Sequence, residues 1–107
     1  MIIASTKVVI DRPWKISFQK DNIDCDQLDQ HDVVAETIFT AISPGTEIAA
    51  YTGMSPLRPS VHYPRLVGYC NVAKVIYLGQ LVDDLEVGSR ILTFSSHCSH
   101  FKINRRE

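Results

Sequence analysis

Two clusters of side chains in this sequence have the composition of metal ligands, and the tighter cluster is His97-Cys-Ser-His100. Two imidazoles and a thiol within four positions could bind zinc or another transition metal. On an extended strand, however, successive side chains point to opposite faces, so His97 would face away from both Cys98 and His100. The three groups could converge only in a loop. The segment is therefore predicted to have a structural or cleft-lining role, with metal binding as the alternative.

The second cluster is acidic. Residues 21–32 contain five aspartates and no lysine or arginine, so carboxylate oxygens for a calcium ion are abundant. The run lacks the ligand spacing and the central glycine of a calcium loop. Aspartate and asparagine favour turns and are poor material for a hydrophobic core. The sequence therefore predicts a solvated loop here rather than a cation site.

Composition limits the classes of function. The 107 residues, 45% of them hydrophobic, suit one compact domain. Eleven basic and twelve acidic side chains give a net charge of -1, so neither nucleic acid nor an anionic membrane is predicted as a partner. The amino terminus lacks the order of charged and apolar residues of a secretory signal, and no apolar run is long enough to span a membrane. Three cysteines are an odd number without paired spacing, which predicts a reducing, cytoplasmic location.

The first 53 residues are predicted to form strands followed by a short helix. Residues 7–10, 14–18 and 33–42 are rich in β-branched and aromatic side chains. Trp14, Ile16 and Phe18 alternate with polar neighbours, which predicts a half-buried antiparallel strand. Residues 46–51 could form one helical turn that ends at Gly53.

The second half is predicted to continue as short strands. Residues 54–64 hold three of the five prolines and are predicted to form an irregular surface loop. Residues 66–78 are predicted to form one long apolar strand broken at Gly68, where a glycine suits a bulge or a close backbone approach. A turn at residues 82–88 precedes strands at 90–94 and 100–103. Many short strands separated by turns indicate a small β-barrel.

Three motifs, in their order and spacing, resemble one family. They are Ile42-Ser-Pro-Gly-Thr-Glu-Ile48, Tyr63-Pro-Arg-Leu-Val-Gly-Tyr-Cys70 and Glu86-Val-Gly-Ser-Arg-Ile-Leu92. This arrangement resembles the amino-terminal catalytic domain of the medium-chain dehydrogenases and reductases, over roughly residues 34–103. The resemblance implies a mainly β fold, a GroES-like, partly open β-barrel with one or two short helices. Residues 1–107 would form this single domain.

The departures from the family pattern concern zinc. Pro44 stands where the resemblance places a cysteine ligand, Tyr69 where it places a histidine, and Cys70 where it places a glutamate. Proline has no ligating side-chain atom, and tyrosine is not among the usual zinc ligands. The four-cysteine lobe that binds structural zinc is also missing after Arg90. The resemblance therefore implies a zinc-independent member, similar to alcohol dehydrogenase-like and quinone oxidoreductase-like enzymes, and no metal site.

The resemblance also implies site residues. Thr46 matches a hydroxyl of a proton relay, Glu47 matches a carboxylate that orients the site, and Tyr69 could donate a proton to a developing alkoxide. Tyr51 and Cys70 would contact substrate. Structural roles are the alternatives: Thr46 as a helix cap, Glu47 as a charge at the positive end of a helix dipole, and Tyr69 and Cys70 as packing residues.

Two features leave the proposed relay and the cofactor site incomplete. The relay histidine of some relatives corresponds to Ala49. Relatives bind the nicotinamide on a Rossmann domain, whose glycine-rich turn opens a helix, and this chain contains no GxGxxG motif.

The expected function is the substrate side of an NADP- or NAD-dependent oxidoreductase acting on a carbonyl, enone or alcohol. A Rossmann domain would be supplied in cis or by a partner chain, and this chain alone would be inactive. The alternative is a stand-alone, non-catalytic barrel that acts as a binding or assembly module, including a homo-oligomer. Either function involves small molecules or proteins rather than nucleic acid or membrane.

Overall fold

The computed structural model describes residues 1–54 and 62–106. Two antiparallel sheets account for most of this part of the chain: a three-stranded sheet in the order β2-β1-β4 and a four-stranded sheet in the order β6-β5-β3-β7. The strands are β1 (Ile2–Arg12), β2 (Lys15–Asp24), β3 (Asp32–Thr40), β4 (Arg65–Leu66), β5 (Asn71–Leu78), β6 (Arg90–Thr93) and β7 (His100–Asn104). One α-helix, α1 (Pro44–Thr52), and one 3-10 turn, Cys25–Gln27, complete the elements of the described ranges.

Strands β1 and β2 form a long hairpin that pairs residues from Ile2 with Asp24 to Arg12 with Lys15. Pro13 and Trp14 make the turn, and Trp14 adopts a left-handed backbone with φ of 69°. The prediction that β2 is half buried is wrong. Ile16 and Phe18 are 49% and 73% exposed, because no described element covers this face of β2, and Trp14 in the turn is 64% exposed.

The acidic run is only partly the solvated loop that the sequence predicts. Asp21 and Asp24 belong to β2, because the hairpin pairing extends as far as Asp24 and the second residue of the chain. Asp32 is buried at the start of β3, where its carboxylate accepts a hydrogen bond from the backbone of Asp29 at 2.8 Å. A carboxylate with local hydrogen-bond partners can be buried at lower cost than a free one.

The four-stranded sheet contains the core. Central strand β3 pairs with β5 on one side and with β7 on the other. Ala35 of β3, Ala73 of β5 and Phe101 of β7 pack together, and Ile91, Cys98 and Ile103 lie against them. Removing these apolar side chains from water stabilises the sheet at about 25 cal/mol per Å² of buried surface.

The segment between β6 and β7 joins the two sheets. The amide of Val8 in β1 donates to the carbonyl of His97 at 3.0 Å, and the amide of Ser99 donates to the carbonyl of Thr6 at 2.8 Å. Lys7 and Cys98 form an isolated bridge between these two bonds. The segment that resembled a metal cluster in the sequence therefore connects β1 to the core sheet.

Helix α1 begins two residues before the predicted turn. Pro44 occupies the first helical turn, where its missing N–H and its fixed φ are tolerated. Gly53 ends the helix in a left-handed conformation with φ of 72°, and its amide donates to the carbonyl of Ala49 at 2.8 Å. The predicted short helix and its glycine stop are confirmed.

The single long strand predicted over residues 66–78 is wrong, because this segment forms two strands in different sheets, but the predicted break at Gly68 lies between them. Residues 65–66 pair with β1 in one sheet, and residues 71–78 pair with β3 and β6 in the other. Gly68 lies between them with φ of 96°, a conformation that favours glycine. The predicted loop at 54–64 is described only at its ends, Met54 and residues 62–64, and Pro56 and Pro59 lie outside the described residues.

The fold class is confirmed. The described chain is mainly β, with two antiparallel sheets that do not close into a barrel and two short helical elements. None of its helices is both long enough and apolar enough to cross a membrane.

Candidate functional site

The start of α1, the end of β3 and the segment between β6 and β7 meet around Glu47. This side chain points inward, and Glu47 is only 8% exposed. One carboxylate oxygen, Oε2, accepts a hydrogen bond from the backbone N–H of Ser43, the N-cap of α1. The other, Oε1, contacts Nε2 of His97. Glu47 therefore caps its own helix and reaches across to a second element.

His97 is held by its backbone and by both ring nitrogens. Its amide donates to the carbonyl of Val67 at 2.9 Å, and its carbonyl accepts from the amide of Val8 at 3.0 Å. Nδ1 of the ring lies 2.6 Å from the hydroxyl oxygen of Thr40, at the end of β3. The side chain is 16% exposed. The imidazole therefore has a fixed place between a carboxylate and a hydroxyl.

The ring of His97 lies directly over Gly68. A Cβ added to Gly68 would stand 2.7 Å from Cδ2 and Nε2 of the imidazole, closer than real Cβ contacts allow. The absence of a side chain at Gly68 is what lets the ring reach Glu47. Glycine is thus required here by its backbone conformation and by this close approach.

The resulting chain of contacts runs from Thr40 through His97 and Glu47 to the backbone of Ser43. We call these groups the Thr40–His97–Glu47 chain. A hydroxyl, an imidazole and a carboxylate in this order can store and pass a proton, because imidazole can bind hydrogen at either nitrogen and the hydroxyl can donate or accept. In the part of the chain that the structure describes, Glu47 is the one carboxylate that contacts His97.

Of the five predicted site residues, Glu47 alone takes part in the Thr40–His97–Glu47 chain. Thr46 is exposed on α1, and Tyr69 is 43% exposed in the segment between β4 and β5. Cys70 is half-buried and its carbonyl accepts from the amide of Ala41 at 3.0 Å, which places the 69–70 segment beside the end of β3.

Tyr51 lies at the other end of α1. Its ring packs edge-on against Trp14, with centroids 5.2 Å apart, and its hydroxyl donates to the Trp14 carbonyl at 3.3 Å. This contact fastens α1 to the β1–β2 turn. The functional roles of all five residues stay predictions.

Sequence reasoning missed Thr40, His97 and Gly68 as a group. His97 drew attention as a metal ligand candidate, and Gly68 as a strand break, but no periodicity connects either residue to Glu47. Thr40 carries no signal in the sequence beyond its place at the end of a strand. The contacts join residues 40, 47, 68 and 97, which only the tertiary structure brings together.

A cluster of hydroxyl and amide groups lies next to the Thr40–His97–Glu47 chain. Asn71 is fully buried, and its side-chain amide donates to Thr37 at 3.0 Å and to the carbonyl of Ser96 at 3.1 Å. Burial raises the pKa of the neighbouring Cys98 thiol, which keeps this sulfur protonated. These groups hold the segment before His97 in place.

A groove elsewhere on the described surface has a volume of about 510 Å³. It is lined by Lys7, Asp24, His100 and Lys102 among others, but by none of the residues of the Thr40–His97–Glu47 chain. Its mixed charges favour no single class of ligand.

No protein-family model matches the sequence, and a search of curated proteins gives no match. The fold, in contrast, is similar to solved structures. A variant of Etr1p in complex with NADP and crotonyl-CoA superposes with a TM-score of 0.82 at 21% identity, covering 99% of this chain and 33% of that one. The mitochondrial 2-enoyl thioester reductase heterodimer Etr1p/Etr2p from Candida tropicalis gives a TM-score of 0.78 at 23% identity, covering 95% of this chain and 32% of that one.

A third structure is more distant. An NADP-bound protein from Sinorhizobium meliloti, described provisionally as a zinc-binding dehydrogenase, gives a TM-score of 0.68 at 16% identity. This chain spans about a third of each of these proteins, with 33%, 32% and 37% of their lengths covered. At these identities the similarity shows the fold, which is that of one segment of NADP-bound reductases and a dehydrogenase-like protein.

Proposed function

We propose that this chain forms the substrate side of a zinc-independent, NADPH-dependent oxidoreductase that reduces an activated carbonyl or carbon–carbon double bond. The observation that carries the proposal is the buried contact of Glu47 with His97, on a fold similar to that of solved NADP-bound reductases. Reduction by hydride also consumes a proton, and this site holds groups that can supply one. The chain would be one domain of the active enzyme.

The residues at the expected metal position support zinc independence. Pro44 is built into the first turn of α1 and has no ligating side-chain atom. Tyr69 is 43% exposed, and Cys70 belongs to a half-buried connection. A catalytic zinc needs three protein ligands and an open position, and of these three residues only Cys70 has a usual ligating side chain.

The chain's own residues would bind and orient the substrate. Helix α1 would present Thr46, and the 69–70 segment would present the Tyr69 hydroxyl and the Cys70 side chain. A hydrogen bond from Tyr69 to the substrate oxygen would stabilise the negative charge that develops there. A nicotinamide, bound by a Rossmann domain in cis or on a partner chain, would supply the hydride.

The test is NADPH oxidation by the natural polypeptide, purified together with any domain or subunit that accompanies it. The substrate panel contains α,β-unsaturated thioesters, quinones, enones and aldehydes. The expected result is oxidation that needs both substrate and NADPH and that resists treatment with a zinc chelator. An inert protein that binds neither NADPH nor NADH would refute the proposal, and inactivation by the chelator would refute zinc independence.

A second candidate is a binding or assembly module without catalysis. The observation in its favour is an apolar row across the outer face of the four-stranded sheet, where Phe39, Val72 and Leu92 lie side by side on three strands. Phe39 and Leu92 are 59% and 71% exposed, and the nearby Phe94 is 89% exposed. Contiguous apolar surface of this kind is typical of contact with another domain or chain. Light scattering of the purified protein distinguishes an assembly from a monomer.

A further inference from the structure

We propose that Glu47, His97 and Thr40 form a proton relay that supplies the proton of the reduction, with the Thr40 hydroxyl as the group that gives it to the substrate. The proposal rests on the proposed function, since it assigns the source of the proton in that reaction. Thr40 would be the catalytic residue. His97 and Glu47 would be positioning residues that act through it.

The hydrogen bonds around Glu47 fix where hydrogen must lie. Oε2 accepts from the backbone N–H of Ser43, so this oxygen serves as an acceptor. Oε1 of Glu47 is in direct contact with Nε2 of His97, and two lone pairs that faced each other across this contact would repel. One hydrogen must therefore lie between them. An Nε2–H that donates to an ionised Glu47 satisfies both contacts, and a buried carboxylate is best compensated by such a donor.

The Nδ1 side of the ring is different, because its partner is a hydroxyl. At 2.6 Å, Thr40 Oγ1 can accept a hydrogen bond from Nδ1–H, or it can donate its own hydrogen to a bare Nδ1. With Glu47 ionised, two protonation states of His97 keep every contact: the imidazolium, which donates to Glu47 and to Thr40, and the neutral ring, which donates to Glu47 and accepts from Thr40. They differ by one proton, and that proton is exchanged at Thr40.

Thr40 is the more accessible end of this series of contacts. It is partly exposed at the end of β3, whereas Glu47 is buried. The next residue, Ala41, bonds through its amide to the carbonyl of Cys70, so the end of β3 lies beside the segment that carries Tyr69. The relay therefore runs from the buried start of α1 towards the segment expected to contact substrate.

When bound, a reduced nicotinamide would supply the hydride, with both electrons, to the electrophilic carbon of the double bond or carbonyl. The Thr40 O–H bond breaks, and its proton forms a new C–H or O–H bond on the negatively charged atom of the product. The Nδ1–H proton of His97 moves to Thr40 Oγ1, which leaves a neutral ring that still donates to Glu47. Water then returns one proton through Thr40.

The first test needs no enzymatic activity. The full natural protein is labelled with 15N-histidine, and ring-nitrogen NMR signals are followed from the imidazolium to the neutral ring. A His97→Gln variant assigns the His97 signals among the four histidines. The relay predicts that the neutral ring carries its hydrogen on Nε2. In Glu47→Gln, the amide can donate to Nε2, so the hydrogen is expected to move to Nδ1.

The second test is kinetic. Thr40→Val keeps the shape of the side chain and removes the hydroxyl, and it is expected to lower kcat about 100-fold with little change in the KM for substrate or NADPH. Thr40→Ser, which keeps the hydroxyl, is expected to restore most of kcat. Thr52→Val is the matched control, since its hydroxyl bonds to the Ile48 carbonyl on the exposed end of α1.

The outcomes separate the two proposals. A neutral His97 with its hydrogen on Nδ1 in the natural protein overturns the relay, as does a folded Thr40→Val enzyme that keeps its full rate. In both cases reductase activity in the natural protein leaves the proposed function standing. A natural protein that oxidises no NADPH with any substrate overturns both. An Nε2–H tautomer together with loss of kcat in Thr40→Val and recovery in Thr40→Ser supports the relay.

Discussion

At the scale of single residues, the site depends on a glycine that makes room for a histidine. Gly68 has φ of 96°, and the imidazole of His97 covers the place where its side chain would be. Gly88 has nearly the same backbone, with φ of 98°, but an added Cβ there would meet nothing within 4 Å. Both glycines therefore need a left-handed backbone, but only Gly68 has another side chain packed where its own Cβ would be.

This pair gives a matched test of the His97 position. Gly88→Ala is expected to cost only the left-handed backbone strain, about 1–2 kcal/mol of unfolding free energy. Gly68→Ala is expected to cost that amount plus about 1–3 kcal/mol for displacing the ring. Urea unfolding of the two variants measures the difference, and equal losses in both would contradict the close packing of His97 on Gly68.

Burial of a thiol gives a second prediction at this scale. Because burial raises the pKa of Cys98, the thiol form is favoured in the fold, and less of the reactive thiolate is present at a given pH. The resulting stabilisation is complete below the pKa of the unfolded chain and is lost as pH rises through the folded pKa.

Alkylation with iodoacetamide from pH 7 to 10, followed by peptide mass spectrometry, should therefore show Cys98 reacting more slowly in the folded protein than in urea. Its rate should also continue to rise at pH values where the rate in urea has levelled off. The same rate and the same pH dependence in both states would show that Cys98 is not shielded.

At the scale of elements, the orientation of α1 decides whether Glu47 can reach His97. The helix is held at its carboxyl end by contacts with residues of other segments. The amide of Trp14 donates to the Tyr51 carbonyl at 2.7 Å, the Tyr63 hydroxyl donates to the Ala50 carbonyl at 2.6 Å, and the Tyr51 ring packs against Trp14. Its amino end is held by Glu47 itself.

Loss of one such contact should loosen the helix. Tyr63→Phe removes a strong hydrogen bond to a helix-end carbonyl and is expected to cost about 1 kcal/mol of unfolding free energy. Tyr77→Phe is the control, because among the described residues the Tyr77 hydroxyl reaches only the sulfur of Met1, at 3.5 Å, and should contribute almost nothing. Thermal unfolding compares the two, and an equal effect would mean that the Tyr63 contact does not stabilise α1.

At the scale of the whole molecule, the two sheets differ in how well their strands are enclosed. Strands β3 and β5 have partners on both sides, whereas β2 is an edge strand with most of its residues exposed. Amide protection follows the number of partners and the burial of a strand, because exchange requires the hydrogen bonds to open.

Hydrogen–deuterium exchange should therefore be slowest in β3 and β5 and much faster in β2. Peptide-resolved mass spectrometry of the natural protein measures both regions in one sample. If β2 were as protected as β3, another domain or chain would have to cover this edge of the protein, and the exposed Phe18 and Ile16 would be its first candidate contacts.

The class of fold follows from local patterns in the sequence. Alternating and β-branched runs specify strands, Pro44 and Gly53 specify where one helix begins and ends, and Gly68 specifies a break between two strands, because these signals depend on local backbone chemistry. The residue types at positions 44 and 69, proline and tyrosine, could also be compared with the family pattern from the sequence alone, and the zinc independence inferred from them stays a prediction. The exposure of β2 could not be predicted from the sequence, because the exposure of an apolar face depends on what packs against it.

The tertiary structure alone decided which groups meet. Thr40, Glu47 and His97 are separated by up to 57 positions, and no local pattern relates a strand end, a helix start and a connecting segment. They are in contact because hydrogen bonds to β1 hold the 97–99 segment beside the core sheet, and because Gly68 leaves space for the His97 ring. A sequence records which side chains are present, but packing between distant elements determines which of them can exchange a proton.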